Sequence, residues 1–187
     1  DKADDWELRP LPQQISEGVF AAIEDAVTLA EHQTVLDFGA GTGLLAGRLA
    51  PRVGSILAVD ISEAMLAKLA AKPELEGKVE TVCRDILADP LEQRVDLVVS
   101  AMAMHHVEDT RALLQGLFDH LKAGGRIALA DLDAEDGDFH PPDVEGVYHA
   151  GFARDALGAL LEEVGFRETR FVTACEVEKE GRHYPIF

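Results

Sequence analysis

The stretch of residues 35–43 constrains the fold of this chain more than any other part of its sequence. It reads Val-Leu-Asp-Phe-Gly-Ala-Gly-Thr-Gly, which is an apolar pair, a carboxylate and then glycine at every second position. Glycine tolerates positive φ and has no Cβ, so backbone in such a turn can approach a ligand directly. The pattern predicts a strand that ends in a ligand-binding turn and leads into a helix.

The glycine spacing also separates two kinds of nucleotide cofactor. A dinucleotide fingerprint, G-x-G-x-x-G, would require a glycine where this chain has Leu44, and Asp37 stands two residues before the first glycine. The pyrophosphate of a dinucleotide favours a helix N-terminus without an acid nearby. An NAD-type enzyme is therefore the less favoured interpretation, although it stays open.

Strand-like and helix-like patterns alternate along the chain, with no linker or repeat between them. The predicted strands cover residues 34–38, 55–59, 79–83, 95–100, 126–131, 168–175 and 182–187. The predicted helices cover residues 15–27, 43–49, 62–71, 109 to just before a left-handed C-cap at Gly124-Gly125, and 154–164. This alternation predicts a three-layer, doubly wound α/β fold whose mostly parallel seven-stranded sheet has an antiparallel C-terminal strand.

Length and composition indicate one domain, residues 1–187, with an N-terminal helical segment over residues 1–33. No apolar run approaches the roughly 20 residues of a membrane span, and the acidic start lacks the features of a secretory signal. Two cysteines, Cys83 and Cys175, lie in apolar strand-like runs, which favours a reducing cytoplasm. The net charge of −18 disfavours nucleic acid and anionic membranes as partners.

Polar residues follow five of the predicted strands, at the edge of the sheet where doubly wound folds bind ligands. Asp60 comes about 20 residues after Gly41, the spacing at which a carboxylate takes both hydroxyls of a ribose. Asp85 is placed to accept a hydrogen bond from an exocyclic amine. The full set is Asp37, Asp60, Asp85, Ser100 and Asp131.

These residues resemble the class I, seven-stranded S-adenosylmethionine-dependent methyltransferases, in particular the small stand-alone type 11 or ubiquinone-menaquinone-methylase-like group. The resemblance extends from about Trp6 to Phe187. The segments that match the family's ordered motifs are residues 35–43, 58–62 with Met65, 84–86, 96–100 followed by 104–107, and 121–126. Five motifs in order make this resemblance specific for the cofactor.

The resemblance implies a role for each matching position. Gly39, Ala40 and Gly41 would lie against the methionine part of S-adenosylmethionine, and Asp37 would face its ammonium directly or through water. Asp60 would bind the ribose and Ile61 would pack on the adenine, and Met65 of the same motif is a further cofactor-binding residue. The remaining implied contacts are Asp85 and Ile86 at the adenine amine and ring, and Ser100 and Ala101 at the amino-acid end.

The chemistry follows from the cofactor, whose sulfonium-bound methyl is already an electrophile. Alignment of a nucleophile and exclusion of water are then the protein's main tasks. A hydroxyl or ammonium acceptor must lose a proton, and a histidine suits that role near neutral pH. His105 and His106 follow the fourth strand and are the candidate catalytic residues. S-adenosylhomocysteine would be the product.

The segment of residues 132–152 is not explained by the cofactor motifs. In the small-molecule enzymes of the family, an insertion here forms a wall of the acceptor pocket, which makes Tyr148, His149 and Phe152 candidate substrate contacts together with Trp6. His140, His149 and the nearby acids lack the tight spacing of metal ligands, so no metal is expected.

Besides an NAD-type enzyme, one alternative stays open, a non-catalytic subunit or regulator that keeps the fold and binds the cofactor. The expected partner is a small-molecule acceptor. The oligomeric state is expected to be a monomer or a homodimer.

Overall fold

Five parallel strands form the central sheet. The computed structural model describes residues 6–141 and 144–187, with Trp6 described for its backbone alone. The strands are β1 (Thr34–Phe38), β2 (Ser55–Asp60), β3 (Val79–Cys83), β4 (Val95–Ala101) and β5 (Leu121–Ala130). Their order is β3-β2-β1-β4-β5, so the strand order reverses between β1 and β4. A ligand crevice forms outside the carboxyl ends of the strands at such a reversal.

Five α-helices surround the sheet, and two of their predicted caps are confirmed. The Ser62 hydroxyl accepts from the Met65 amide at 3.4 Å, and the Asp109 carboxylate accepts from the Ala112 amide at 2.9 Å. None of the described helices is both long and apolar enough to cross a membrane. The helices are α1 (Pro10–Ala26), α2 (Leu44–Leu49), α3 (Glu63–Ala70), α4 (Thr110–Asp119) and α5 (Arg154–Val164), with 3-10 turns at Trp6–Leu8, Pro73–Leu75 and Met104–His106.

The core consists of two apolar layers, one on each face of the sheet. Alternate side chains of a strand point to opposite faces, so Val35 packs into one layer and Leu36 into the other. Helices α1, α2 and α3 cover the first face, and α4 and α5 cover the second. The three-layer, doubly wound prediction is confirmed.

The C-terminal part of the sheet differs from the prediction of one seven-stranded sheet. Strands β6 (Cys175–Lys179) and β7 (Arg182–Ile186) form a separate antiparallel pair. A single antiparallel bridge between Leu132 and Ile186 links this pair to the end of β5. Residues 168–174, predicted as strand, are irregular; Glu168 has a left-handed φ of 57°, which breaks an extended run at its start.

The boundary between α4 and β5 also differs from the prediction. The helix ends at Asp119, and β5 begins at Leu121, five residues before the predicted start at Arg126. Gly124 has the expected positive φ, 76°, but it lies within β5 rather than at a helix C-cap. The pairing of β4 with β5 shifts register between Val95 and Leu97, which accommodates the two glycines.

Candidate active site

The glycine turn after β1 is held against the end of β2. The amides of Gly39 and Ala40 both donate to the Val59 carbonyl, at 2.9 and 3.0 Å. Gly39, Gly41 and Gly43 have φ values of 70°, 56° and 83°, which L side chains rarely adopt. The alternating glycines are therefore required by the backbone of the turn itself.

The three glycines have different surroundings. A Cβ on Gly39 would lie 2.3 Å from the Cβ of Ala103, and one on Gly43 would lie 2.6 Å from Cγ of Leu69. A Cβ on Gly41 would have no atom of the described part of the chain within 4 Å. Gly39 and Gly43 thus permit close packing, whereas Gly41 faces open space that a ligand can enter.

Asp60 stands at the end of β2 beside this open space. Its Oδ2 accepts from the Gly41 amide and its Oδ1 accepts from the Ser62 amide, both at 2.8 Å. The two amides fix the carboxylate while each oxygen keeps acceptor capacity for a further donor. The next side chain, Ile61, is 78% exposed, which is unusual for isoleucine.

Asp37 lies beneath the same turn and is only 2% exposed. Burial, and next the nearby Asp60 charge, raise its pKa to about 8, against a smaller lowering by the Ala46 amide. Its Oδ2 makes no hydrogen bond within the described residues. A buried acceptor without a partner is costly, and a cationic ligand nearby would relieve that cost.

The end of β3 supplies one exposed carboxylate. Asp85 is exposed, and its Oδ1 accepts from the Leu87 amide at 3.0 Å. Ile86, predicted to cover the adenine ring, is instead fully buried in the core on the α4 and α5 face, so its side chain offers no surface to a ring. Met65 on α3 is half-buried.

Ser100 and Ala101 end β4 next to the glycine turn. The Ser100 hydroxyl is fully buried and donates to the Phe38 carbonyl at 2.8 Å. This bond ties the end of β4 to the end of β1. Ala101 is half-buried, and Met102 after it turns the chain with a φ of 58°. Ser100 therefore positions the crevice wall, and Ala101 is the more accessible of the two.

His105 forms a buried pair with Asp131, the residue after β5. Its Nδ1 donates to Asp131 Oδ1 at 2.8 Å, and its amide donates to Asp131 Oδ2 at 3.2 Å. Asp131 Oδ1 also accepts from the Leu132 amide at 2.8 Å. With Nδ1 as the donor, Nε2 of His105 is left as an acceptor, and it has no partner within the described residues.

Two further histidines lie beside this pair. The ring centroid of His105 is 4.2 Å from that of His106 and 4.8 Å from that of His140. His106 keeps part of its surface in contact with solvent, its Nδ1 donates to the Gly146 carbonyl at 2.6 Å, and the partial burial of its ring lowers its pKa. Burial, followed by the two neighbouring histidines, lowers the pKa of His140 to about 4. Both rings are therefore mainly neutral at pH 7.

The segment of residues 132–152 closes over this end of the sheet. Two backbone hydrogen bonds join its ends. The Phe152 amide donates to the Leu132 carbonyl at 2.9 Å, and the Ala134 amide donates to the Phe152 carbonyl at 3.0 Å. Close to the C-terminal end of the segment, the Tyr148 amide donates to the His105 carbonyl at 2.9 Å. Pro142 and Asp143 lie outside the described residues.

The predicted substrate contacts fall into different places. Tyr148 is 55% exposed and remains available to an acceptor. Nε2 of His149 donates to the Val107 carbonyl at 2.9 Å, so it secures the loop before α4. Phe152 is buried in the core on the α4 and α5 face, with 8% of its surface exposed. The Trp6 side chain lies outside the described residues.

The sequence-based prediction missed two residues that contact His105, namely Asp131, which accepts its hydrogen bonds, and His140, whose ring lies beside it. Asp131 was noted only as a strand end, and His140 only as a possible metal ligand. Among the described residues, no group of three or more potential ligands has a geometry suited to a metal ion. The available signal was that Asp131 follows an apolar strand, as Asp37 and Asp60 do.

The fold and crevice define a class: a Rossmann-like domain whose glycine turn and strand-end carboxylates suit a cationic nucleoside cofactor. The sequence matches the family described as "Methyltransferase domain" over residues 35–125. A crystal structure of a SAM-dependent methyltransferase from Aquifex aeolicus is 25% identical, with a TM-score of 0.71, and covers 100% of this chain and 96% of that one.

Two other comparisons agree. An uncharacterized methyltransferase of Schizosaccharomyces pombe is 30% identical over 156 residues, 74% of this chain and 55% of its own. The N-methyltransferase NodS from Bradyrhizobium japonicum, solved with S-adenosylhomocysteine, has the same fold, with a TM-score of 0.72, 17% identity and coverage of 95% and 86%. The chain belongs to the class I S-adenosylmethionine-dependent methyltransferases. It spans about half the length of the curated relatives it matches.

Proposed function

We infer that this protein transfers a methyl group from S-adenosylmethionine to a small-molecule acceptor and releases S-adenosylhomocysteine. The observation that carries the proposal is the Asp60 carboxylate, fixed by the Gly41 and Ser62 amides beside the open space at Gly41. A carboxylate held at the end of the second strand is suited to the two hydroxyls of a ribose.

The residues present fit this cofactor in charge and shape. S-adenosylmethionine carries a sulfonium and an ammonium, and the crevice offers carboxyl groups from the ends of β1, β2 and β3. Oδ2 of Asp37 is buried and finds no partner among the described residues, and an ammonium, directly or through water, would satisfy it. The exposed Ile61 side chain is available to cover the adenine, and exposed Asp85 to accept from its amine.

When bound, S-adenosylmethionine supplies an electrophilic methyl group for in-line displacement. The protein aligns the acceptor and excludes water, which converts a bimolecular reaction into an effectively unimolecular one. Asp131 holds His105 Nδ1, so Nε2 is the atom that accepts the proton from a hydroxyl or ammonium acceptor. Nε2 of His105 is buried and the His140 ring centroid lies 4.8 Å from that of His105, so an acceptor reaches this nitrogen only if neighbouring side chains rearrange.

The position of the 132–152 segment supports the proposal that the acceptor is a small molecule. It closes the crevice on the β4 and β5 side, presents Tyr148 near the His105 and Asp131 pair, and accepts a hydrogen bond from His106 through the Gly146 carbonyl. The net charge of −18 disfavours polyanionic acceptors. The proposal includes a single domain and a cytoplasmic setting, supported by two free thiols, Cys83 exposed and Cys175 half-buried.

Calorimetry with S-adenosylhomocysteine and S-adenosylmethionine tests the cofactor assignment. Gly41→Val places a side chain in the open space and should abolish binding, with a loss of more than about 100-fold. Gly77→Val is the matched control, because Gly77 also has a positive φ and open surroundings but lies after α3, between Leu75 and β3. The control should suffer the same backbone strain and keep its affinity.

Asp60→Ala removes the proposed ribose contacts and should also abolish binding. Asp96→Ala is its control, because Asp96 accepts from the Thr34 amide at 2.8 Å at the opposite ends of the strands. Equal affinity in Asp60→Ala and the unmodified protein would contradict the site. Turnover is tested separately, by S-adenosylhomocysteine formation against a panel of small acceptors.

A further inference from the structure

Two neighbouring imidazoles of the crevice are held in the same tautomer by different parts of the chain. Nδ1 of His105 donates to Asp131 Oδ1 at 2.8 Å, and Nδ1 of His106 donates to the Gly146 carbonyl at 2.6 Å. A carbonyl oxygen can only accept, so a proton of His106 lies on Nδ1. In a neutral imidazole the other nitrogen is then an acceptor. With ring centroids 4.2 Å apart, the two rings present a pair of Nε2 acceptors.

A third imidazole borders this pair. The ring centroid of His140 lies 4.8 Å from that of His105 and 6.0 Å from that of His106. Its place is fixed by the preceding turn, where Glu135 Oε2 accepts from three successive amides that end at Phe139. Nε2 of His105 and Nε2 of His140 are both buried and without a partner among the described residues. A ligand that supplies hydrogens accounts for two such nitrogens side by side.

The charges around the three rings favour a cation over an anion. Burial lowers the pKa of His106 most, and the carboxylates of Asp131 and Asp60 are among the groups that raise it, so both lie within electrostatic reach of this ring. Lys179 lowers the pKa of His140 after burial and the other two histidines do, but its ammonium donates to a backbone carbonyl. The net charge of the chain, −18, attracts cationic ligands.

The two lone pairs select among acceptor groups by the number of hydrogens that each group carries. Carboxylates, phosphates and carbonyls have none, so they cannot bond to Nε2 of His105 or His106. A hydroxyl has one and satisfies one ring. A primary amine has two hydrogens when neutral and three as its ammonium, so a single nitrogen can donate to both rings.

We propose that the methyl acceptor is a primary amine, whose ammonium is held by Nε2 of His105 and Nε2 of His106. This inference rests on the proposed function and specifies its acceptor. His106 keeps contact with solvent and receives the ammonium first, and the ring of His140 turns aside to admit it to the buried nitrogen of His105.

Nε2 of His105 then takes one proton from the ammonium, and Asp131 stabilises the imidazolium that forms. The freed electron pair of the amine nitrogen forms the bond to the methyl carbon, while the electron pair of the broken carbon–sulfur bond stays on sulfur. The products are a secondary ammonium and S-adenosylhomocysteine, and His105 returns its proton to solvent. Loss of the proton before transfer also removes the repulsion between ammonium and sulfonium.

Nitrogen NMR tests binding without turnover. The full chain, with nitrogen-labelled histidine and saturated with S-adenosylhomocysteine, is titrated at pH 7 with methylammonium chloride. The Nε2 resonances of His105 and His106, assigned from His→Asn variants, should both shift and saturate. Tetramethylammonium chloride has the same charge without an N–H, and methanol has one hydrogen, so neither should shift both resonances.

Two substitutions separate the roles of the rings. His105→Asn should lower turnover of an amine at pH 7 by about 100-fold or more, and the rate should recover toward pH 10, where the amine itself loses its proton. His106→Phe should raise KM for the amine by about tenfold with little change in kcat, and His106→Asn, whose amide oxygen accepts, should restore KM. His32→Phe, at an exposed ring before β1, is the control and should change neither constant.

Turnover is measured on primary amines, each paired with the alcohol of the same carbon skeleton, and on catechol as a source of two adjacent hydroxyls. The proposal is overturned if methylammonium shifts neither Nε2 at about 100 mM, or if alcohols or catechol are methylated while the amines are inert. S-adenosylhomocysteine affinity should be equal in all of these variants. Loss of cofactor binding would contradict the proposed function, whereas a cofactor-loaded protein that ignores methylammonium would contradict the amine assignment alone.

Discussion

The crevice consists of two halves that are built in different ways. The carboxylate half, at the ends of β1, β2 and β3, comprises Asp37, Asp60 and Asp85 with the glycine turn. The histidine half, at the ends of β4 and β5, comprises His105, His106, Asp131 and His140. The first depends on contacts between neighbouring motifs, such as Asp60 to Gly41, and the second on contacts across longer stretches of chain, such as His106 to Gly146.

Burial shifts the pKa values of the two halves in opposite directions. It raises the pKa of Asp37 to about 8 and lowers the pKa of His140 to about 4. In each case the neutral form is favoured, because burial disfavours charge. The comparison teaches that burial keeps both halves neutral, and that a cation bound beside Asp37 would give the carboxylate half its charge while His106 and His140 stay neutral.

Asp131→Ala should have the largest effect on stability and should be confined to the histidine half. Three buried donors, the His105 amide, His105 Nδ1 and the Leu132 amide, would lose their acceptor. We expect a loss of about 4 kcal/mol in the free energy of unfolding, measured with denaturant. The His105 ring should change tautomer, which nitrogen NMR detects.

Asp109→Ala provides the matched control, since it removes one exposed helix cap and should cost about 1 kcal/mol. If the two halves are separate, S-adenosylhomocysteine affinity of folded Asp131→Ala changes little. A loss of affinity as large as that of Asp60→Ala would show that the halves act as one unit.

Gly39→Ala should disturb the packing contact between the two halves, where Gly39 meets Ala103. Its Cβ would lie 2.3 Å from that of Ala103, at a φ of 70°. We expect a loss of about 3 kcal/mol in unfolding free energy from overlap and backbone strain. Gly137→Ala, with a φ of 87° and open surroundings, should cost about 1 kcal/mol, the strain alone.

The double variant Gly39→Ala with Ala103→Gly separates the two costs. Removing the Ala103 methyl should restore the part due to overlap, and a double-mutant cycle measures it. Additive losses in the cycle would mean that the two halves do not meet at this contact.

The sequence predicts the carboxylate half better than the histidine half for a physical reason. Asp60 and Gly41 belong to consecutive strand ends, so strand periodicity and glycine spacing place them together. Asp131 meets His105 only after β4 and β5 pair, and no local pattern specifies which side chains then touch. Ile86 shows a further limit, because a motif match fixed its position in the chain but not which way its side chain points.

The same reason applies to the fold. Strands with continuous apolar runs, such as β1 and β4, have the predicted starts, because burial on both faces dictates their composition. Residues 168–174 contain the aromatic and β-branched residues that favour a strand, such as Phe171 and Val172, but a strand also requires a neighbour. Pairing is decided by tertiary structure, and there the sequence pattern alone leads to the wrong assignment.

Asp37 should couple cofactor binding to proton release, a smaller effect that sharpens the comparison. With a pKa near 8, the carboxyl is mainly protonated at pH 7, and a bound cation would ionise it. Calorimetry at pH 7 in buffers of different ionisation enthalpy should show release of close to one proton. Affinity should increase by about tenfold from pH 7 to pH 9 through this group.

Asp37→Asn separates this proton from those of the ligand's own amine. On cofactor binding, the variant should release fewer protons than the unmodified protein, and the difference should equal nearly the whole contribution of Asp37. Identical proton release in the two proteins would mean that Asp37 does not sense the cofactor, and the carboxylate half would then act through Asp60 and Asp85 alone.

His140 should give the smallest effect, and its sign is opposite to that of Asp37. Its pKa is about 4 in the folded protein and about 6.5 in the unfolded chain, so the unfolded chain binds more protons between these values. Its contribution to stability is therefore present above pH 6.5 and lost as pH falls toward 4. Lys179, His105 and His106 lower this pKa after burial does, and Asp131 opposes them.

His140→Phe should flatten the fall in unfolding free energy between pH 7 and pH 4.5, where the unmodified protein pays to keep this ring neutral. The difference should be modest, because the ring is partly exposed and solvent screens it. Parallel curves for His140→Phe and the unmodified protein would mean that burial does not hold this ring neutral, and the opposition between the two halves would then rest on His106 and Asp37.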